Sequence, residues 1–174
     1  MQSNPNETIK LIAVVGPTAS GKTRLAVDLA LRYGGEVISA DSMQVYQGMP
    51  IATAQPSREE MRGVPHHLIG FLDPTEPFSV AAYVRLARRA VEDAAGRGKL
   101  PILCGGTGLY ISSLLDGVDF PPMGEDPVYR EELRRLAGEQ GPEAVHRLLR
   151  EGDPALAARL HPANLGRVIR ALEV

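Results

Sequence analysis

Gly16-Pro-Thr-Ala-Ser-Gly21-Lys22-Thr23 is the stretch of this 174-residue sequence whose residue types and spacing most directly imply chemistry. It fits G-x-x-x-x-G-K-[ST], in which glycines let a loop curl until its backbone N–H groups face phosphate oxygens. The positive end of a following helix adds to the pull on an anion. In this pattern Lys22 reaches terminal phosphate oxygens and Thr23 offers its hydroxyl to Mg²⁺. Gly16, Pro17, Thr18, Ala19, Ser20, Gly21, Lys22 and Thr23 are therefore expected to form one phosphate-holding loop. A Gly-rich turn that only caps a helix would not need the lysine, the threonine and the spacing together.

Asp41 is the second candidate. It ends the apolar run Glu36–Ala40 and precedes Ser42-Met43-Gln44. At the C-terminal edge of a parallel sheet, where open α/β folds bind ligands, its carboxylate could assist a metal or take a proton from a nucleophile facing the phosphates. The plainer reading is a loop aspartate closing an Asx-turn. A conventional P-loop nucleotidase would carry an aspartate at the end of a further apolar strand, yet Pro101-Ile-Leu-Cys104 runs into Gly105-Gly-Thr-Gly108 without a carboxylate. That turn could bind a second anionic group or could only allow close strand-to-helix packing. Thr107 is its hydrogen-bonding side chain. His66-His67 reads as loop or core histidines rather than a metal pair, since neighbours on an extended segment point to opposite faces. Cys104 reads as a small buried apolar residue.

These residues need elements to hold them. Lys10–Val15 is a short apolar run of the kind buried on both faces of a parallel sheet, and Lys22–Arg32 follows it at helical spacing. Glu36–Ala40 makes a second strand and Pro101–Cys104 a third. Between them, Ser79 to Arg97 carries Ala82, Leu86, Ala90 and Ala94 every four residues, with Ser79 as N-cap and Gly96 and Gly98 as the stop. A helix carrying Leu109 to Leu115 follows the third strand. Strands alternating with helices give an α/β fold, a P-loop-containing parallel sheet flanked by helices. The rhythm breaks at Gly117–Gly124. Charged helical patterns at Asp126–Glu139 and Pro142–Arg150 then suggest a small helical insertion, 117–150, within a core made of 1–116 and 151–174. Asp153-Pro154 opens another helix, and Asn164–Val174 is helical in pattern but ends without a stop signal.

Composition sets the outer bounds. Basic and acidic side chains number 19 and 21, and neither 1–115 (11 basic, 10 acidic) nor 116–174 (8 and 11) has a basic surplus announcing nucleic acid. A chain this long buries roughly 70% of its unfolded surface, so a core forms without disulfides, and the single cysteine could make no internal bridge. Gly and Pro total 32 residues, below the roughly 25–30% that marks low complexity. No apolar run approaches the ~20 residues that span a bilayer. The polar start Met1–Glu7 lacks the pattern of a signal peptide. A reducing, cytoplasmic setting is the expectation.

Five segments in order carry a resemblance: Gly16–Thr23, Ile38-Ser-Ala-Asp-Ser-Met-Gln-Val-Tyr46, Val64-Pro-His-His-Leu-Ile69, Gly105-Gly-Thr-Gly-Leu-Tyr110 and Arg167-Val-Ile-Arg-Ala-Leu-Glu-Val174. Together the chain resembles the bacterial tRNA dimethylallyltransferases, also called tRNA isopentenyltransferases. The resemblance implies transfer of a dimethylallyl group from dimethylallyl diphosphate to N6 of the adenosine 3′ of a tRNA anticodon, by a monomer, with Mg²⁺. It implies that residues 16–23 hold the diphosphate, that Asp41 accepts the amine's proton, and that Lys22 and Thr107 act at the reacting groups. It also implies that Asp41, Ser42, Met43, Gln44, Thr107, Arg167 and Arg170 face the tRNA. Gln47, Pro50, Ala52 and Gln55 stand where many members carry Arg, Asp, Gly and Lys. Members continue well beyond the last motif, so a piece of a longer enzyme is expected. The competing readings are a P-loop kinase of a nucleotide or small molecule, and a diphosphate-binding module without turnover.

Overall fold

A computed structural model describes residues 9–120 and 126–174. The polar start at 1–7 and the part of the 117–124 break that covers 121–124 lie outside the described residues. In chain order the elements are β1 (Ile12–Val15), α1 (Lys22–Tyr33), β2 (Gly35–Ser39), α2 (Arg58–Met61), β3 (His66–His67), α3 (Val80–Gly96), β4 (Leu100–Gly105), α4 (Gly108–Leu115), α5 (Pro127–Gln140), α6 (Pro142–Gly152), α7 (Pro154–Ala157) and α8 (Leu165–Leu172). They form two compact units, one through Asp119 and one from Phe120.

The first unit is a four-stranded, wholly parallel sheet in the order β1-β4-β2-β3. Ile12, Ile102 and Val37 lie in register across three strands, and with Val14 they face Ala26, Val27 and Ala30 of α1. Strand alternation turns Ile38 and Leu103 to the opposite face, where α3 packs with Tyr83, Val84, Ala87, Val91 and Ala94 buried. α1 ends where Gly34 takes a left-handed conformation, φ 66°, and the N-terminus of α3 is capped by the Ser79 hydroxyl, which accepts from Ala82 N at 3.2 Å.

Two expectations change, and one finding goes beyond them. β1 is not buried on both faces: Ala13 and Val15, on one face, are exposed while Val14, on the other, is buried, and the strand pairs only with β4 among the described residues. The two histidines form β3, an edge strand whose brevity leaves no periodic signal in the sequence. Their rings part as strand geometry requires: His66 Nδ1 meets Val64 O at 2.8 Å and His67 Nε2 meets Glu36 at 2.7 Å. β2 is buried at every position, including Glu36, whose side chain is only 3% exposed. The Arg97 guanidinium grips both carboxylate oxygens and His67 adds a third contact, which holds the Glu36 carboxyl down at about 2 despite the opposing cost of burial. Only long-range pairing makes that charge tolerable, and neither partner is near it in sequence.

In the second unit α5, α6, α7 and α8 share one apolar core of Leu133, Val145, Leu149, Ala157, Val168 and Ile169. Residues 151–174 are thus packed with the helices of 127–152, where the sequence reading returned them to the α/β core. The apolar stripe of α8 packs against α6, and a short helix has no pattern that names its partner. His146 ties this unit internally, its Nε2 reaching Ala157 O at 3.0 Å and Leu160 O at 2.8 Å. Asp126 caps α5 by accepting from Val128 N at 3.1 Å and Tyr129 N at 3.0 Å. No helix among the described residues is long and apolar enough to cross a membrane.

Candidate active site

The loops that follow β1, β2 and β4 all leave the C-terminal edge of the parallel sheet, and because β4 lies between β1 and β2, its loop sits between the other two. The first loop, Gly16–Gly21, delivers α1. Gly21 adopts φ 79° and is the N-cap, a left-handed conformation that glycine takes without strain. α1 has no side-chain cap and no acidic residue in its first turn, so its leading N–H groups favour an external anion. Ser20 Oγ donates to Pro17 O at 2.9 Å and Lys22 Nζ donates to the same carbonyl, closing the loop on itself.

The second loop carries Asp41. Its Oδ1 accepts from Met43 N at 2.9 Å and Gln44 N at 3.3 Å, which is the Asx-turn arrangement. That does not use up the carboxylate: Oδ2 has no hydrogen-bond partner among the described residues, and Asp41 lines the same cleft of about 290 Å³ as Lys22 and Thr23. The structural and chemical readings of Asp41 therefore coexist on different oxygens.

The third loop shows a packing role for the glycines of Gly105-Gly-Thr-Gly108. A Cβ at Gly105 would lie 2.2 Å from Ala40 O, and one at Gly106 would lie 3.2 Å from Gly16 O. The glycines let β4 approach the backbones beside it, which is the packing role. Thr107 then works as a clasp. Its backbone N–H donates to Ala40 O at 3.0 Å, its Oγ1 accepts from Ser42 N at 2.9 Å, and the two hydroxyls meet at 3.3 Å. Thr107 thus grips both sides of Asp41. Beneath it, Tyr110 stacks on Tyr83 with ring centroids 4.0 Å apart, and burial, reinforced by Tyr46 and Asp41, raises the Tyr110 phenol above its ordinary value.

Of the residues singled out by sequence, Thr18, Ala19, Lys22, Thr23, Asp41, Met43 and Gln44 line this cleft together. Gly16 and Pro17 line a different hollow with Gly106 and Ser112, and Ser42 is held behind Asp41 by Thr107. Arg167 and Arg170 lie on α8 in the second unit, where Arg170 pairs with Glu173 at 3.2 Å. Glu173 is also gripped by Arg130 through both carboxylate oxygens, which holds its carboxyl at about 2.

Sequence reasoning missed Ala52, Thr53 and Ala54, which form a further wall of the cleft. They carry no catalytic residue type, and only their place between the Asp41 loop and α2 hinted at it. Cys104 is half-buried rather than fully buried and also lines the cleft. Burial raises its thiol pKa, partly offset by Lys22, so it is a neutral wall and not a thiolate.

Fit to a metal can be judged from the donor set. No group of three or more His, Cys, Asp or Glu able to hold an ion exists among the described residues. Thr23, whose hydroxyl is a hard oxygen donor, lines the cleft, which suits Mg²⁺, an ion that takes one or two protein oxygens and completes its shell with water and substrate phosphates.

The family model described as IPP transferase matches residues 44–174. The chain belongs to the IPP transferase family. A second model, described as Isopentenyl transferase, matches residues 9–69 and so covers the phosphate loop that the first omits. The chain is 53% identical over 167 residues to a tRNA dimethylallyltransferase of Geobacillus thermodenitrificans, covering 96% of this chain and 53% of that protein. It is 52% identical over 169 residues to one from Thermomicrobium roseum, with 97% and 51% covered. Among solved structures it is similar to the tRNA isopentenylpyrophosphate transferase of Bacillus halodurans, at 51% identity and TM-score 0.65, covering 95% of this chain and 55% of that one. A eukaryotic dimethylallyltransferase acting on tRNA superposes with TM-score 0.80 at 32% identity over 94% of this chain and 40% of its own. The chain spans about half the length of the curated IPP transferase relatives it matches.

Proposed function

We propose that this chain is part of a cytoplasmic, monomeric tRNA prenyltransferase that moves a dimethylallyl group from dimethylallyl diphosphate to N6 of the adenosine 3′ of the anticodon. The observation that carries the reading is that Lys22, Thr23 and Asp41 line one cleft, while β4 ends without a carboxylate. The diphosphate lies on residues 16–23, with Lys22 and the N-terminus of α1 opposing its charge. The target adenine leaves its stack to reach the cleft, as base-modifying enzymes require. N6 then bonds to C1 of the dimethylallyl group as the C1–O bond breaks, diphosphate departs with the electron pair, and the amine's proton passes to Asp41. Mg²⁺, held by Thr23 and phosphate oxygens, would neutralise charge gathering on the leaving group. Thr107 keeps Asp41 in place, and Arg167 and Arg170 are assigned to the tRNA backbone.

The kinase reading fares worse because β4 ends in Cys104-Gly105 and carries no carboxylate there to serve as the metal ligand of a P-loop nucleotidase. The deciding experiment supplies radiolabelled dimethylallyl diphosphate and an anticodon stem-loop RNA with Mg²⁺, and separately ATP with small acceptors. Label in the RNA that disappears with Asp41→Ala, while pyrophosphate still binds, is the expected result. Phosphoryl transfer without prenyl transfer would replace this reading with the kinase. Pyrophosphate binding without any turnover would leave a binding module.

A further inference from the structure

The side chain of Gln55 reaches across from the Pro50–Gln55 turn and donates from Nε2 to Gln44 O at 3.0 Å and to Tyr46 O at 2.7 Å. Gln44 is the residue whose backbone N–H donates to Asp41 Oδ1 at 3.3 Å. The Gln55 amide therefore holds the loop at Gln44, a residue that bonds the carboxylate, and at Tyr46. The tie is mutual, because Gln44 Nε2 donates to Ala54 O at 2.9 Å while its Oε1 accepts from Ser39 Oγ at 3.0 Å. Gln55 is fixed in turn. Its backbone N–H donates to Pro50 O at 2.9 Å, and the far end of its carboxamide lies against Gly70, where a Cβ would come within 3.3 Å of Oε1. Gly70 takes φ 58°, and its N–H donates to Gln44 O at 2.8 Å, so one carbonyl collects both the Gln55 and Gly70 donors.

We infer that Gln55 is a positioning residue for Asp41, setting the carboxylate loop through the carbonyls of Gln44 and Tyr46. This rests on the role of Asp41 proposed above. What the position requires is N–H donors aimed at two carbonyl oxygens. A carboxamide NH₂ supplies two and a lysine ammonium three, with no acceptor to repel them.

Three variants separate donation from simple filling of space. Gln55→Glu keeps the shape and turns the donor into an acceptor, Gln55→Leu removes both functions, and Gln55→Lys keeps donors. Amide hydrogen exchange is followed by NMR in this chain at Met43 and Gln44, which bond to Asp41, with Val27 and Ile102 as core references. Loss of two such bonds is expected to speed exchange at Met43 and Gln44 about tenfold in the Glu and Leu variants, with Val27 and Ile102 unchanged. Gln55→Lys is expected to stay within about threefold of the parent. The inference is overturned if Gln55→Glu exchanges like the parent, if Gln55→Lys exchanges like Gln55→Leu, or if the core references accelerate equally. Binding of inorganic pyrophosphate to the unsubstituted chain is measured alongside. Its absence would remove the functional reading and leave the exchange comparison standing.

Discussion

Replacing Gly105 by alanine is the sharpest perturbation of this site, because it adds one methyl group and no new chemistry. The added carbon would stand 2.2 Å from Ala40 O, 2.4 Å from its carbonyl carbon and 2.8 Å from its Cα. Non-bonded heavy atoms settle at about 3.5–4.0 Å, so the Ala40 peptide or the end of β4 must move by more than about 1 Å. That peptide is held on both sides, with Ala40 N donating to Cys104 O at 2.8 Å and Thr107 N donating to Ala40 O at 3.0 Å. Overpacking costs about 1–3 kcal/mol, and two strained backbone hydrogen bonds add about 1 kcal/mol each. The expected loss is thus about 3–5 kcal/mol, a large share of the ~5–15 kcal/mol that holds a domain together. Two neighbours act as controls within the same motif. Gly106→Ala meets only Gly16 O at 3.2 Å, and Gly108→Ala meets nothing within 4 Å. The first should cost about 1 kcal/mol or less, and the second, at the start of α4, should be neutral or slightly stabilising. Urea unfolding read at constant slope gives all three values. Stem-loop prenylation per folded molecule should fall most in Gly105→Ala, because the proposed base Asp41 follows Ala40 directly. If Gly105→Ala unfolds within about 0.5 kcal/mol of Gly108→Ala, close strand packing is not why this motif carries glycine.

Lys22→Ala should weaken inorganic pyrophosphate binding by about 10- to 100-fold, the scale of one charge-assisted hydrogen bond, with the urea midpoint unchanged; calorimetry of binding checks this. Asp41→Asn retains an acceptor for Met43 and Gln44 and should fold within about 0.5 kcal/mol of the parent, whereas Asp41→Ala loses both bonds and should cost about 1–2 kcal/mol. Both should lack RNA prenylation in the stem-loop assay, and activity retained by Asp41→Asn would remove the base from the mechanism. Glu36 predicts acid sensitivity. Its folded carboxyl lies at about 2 against an ordinary 4.5, so its stabilisation is complete above about 4.5 and is lost as pH falls toward 2. Allowing for solvent screening at the half-exposed Arg97, about 1–2 kcal/mol should vanish over that window. In Glu36→Gln the urea midpoint should change less between those two pH values, and an unaltered slope would refute the assignment.

Much of the site was legible in the sequence because its strongest signals are local. A phosphate loop is eight consecutive residues, its conformation is set by where glycine stands, and its lysine and threonine come with it. The strand before it and the helix after it are apolar runs of distinct period. Asp41 was found in the same way, as a carboxylate at a strand end. Pairing across the chain was beyond such reading. Nothing near Glu36 announces that Arg97 and His67 will neutralise it, and nothing in Gly105-Gly-Thr-Gly says that its glycines face Ala40 and Gly16 or that Thr107 will clasp Ser42. Those facts follow from the strand order, which sets β4 between β1 and β2. The same limit governed the helices of 154–172, whose apolar faces were visible but whose partners were not. Sequence determined which residues could bind phosphate and accept a proton, because those capacities belong to side chains and short loops. Tertiary structure alone decided that they share one cleft, that one oxygen of Asp41 braces its loop while the other stays free, and that Gln55 holds that loop from outside. Each of these is a distance between segments, and hydrogen bonds of about 3 Å are decided by packing rather than by spacing along the chain.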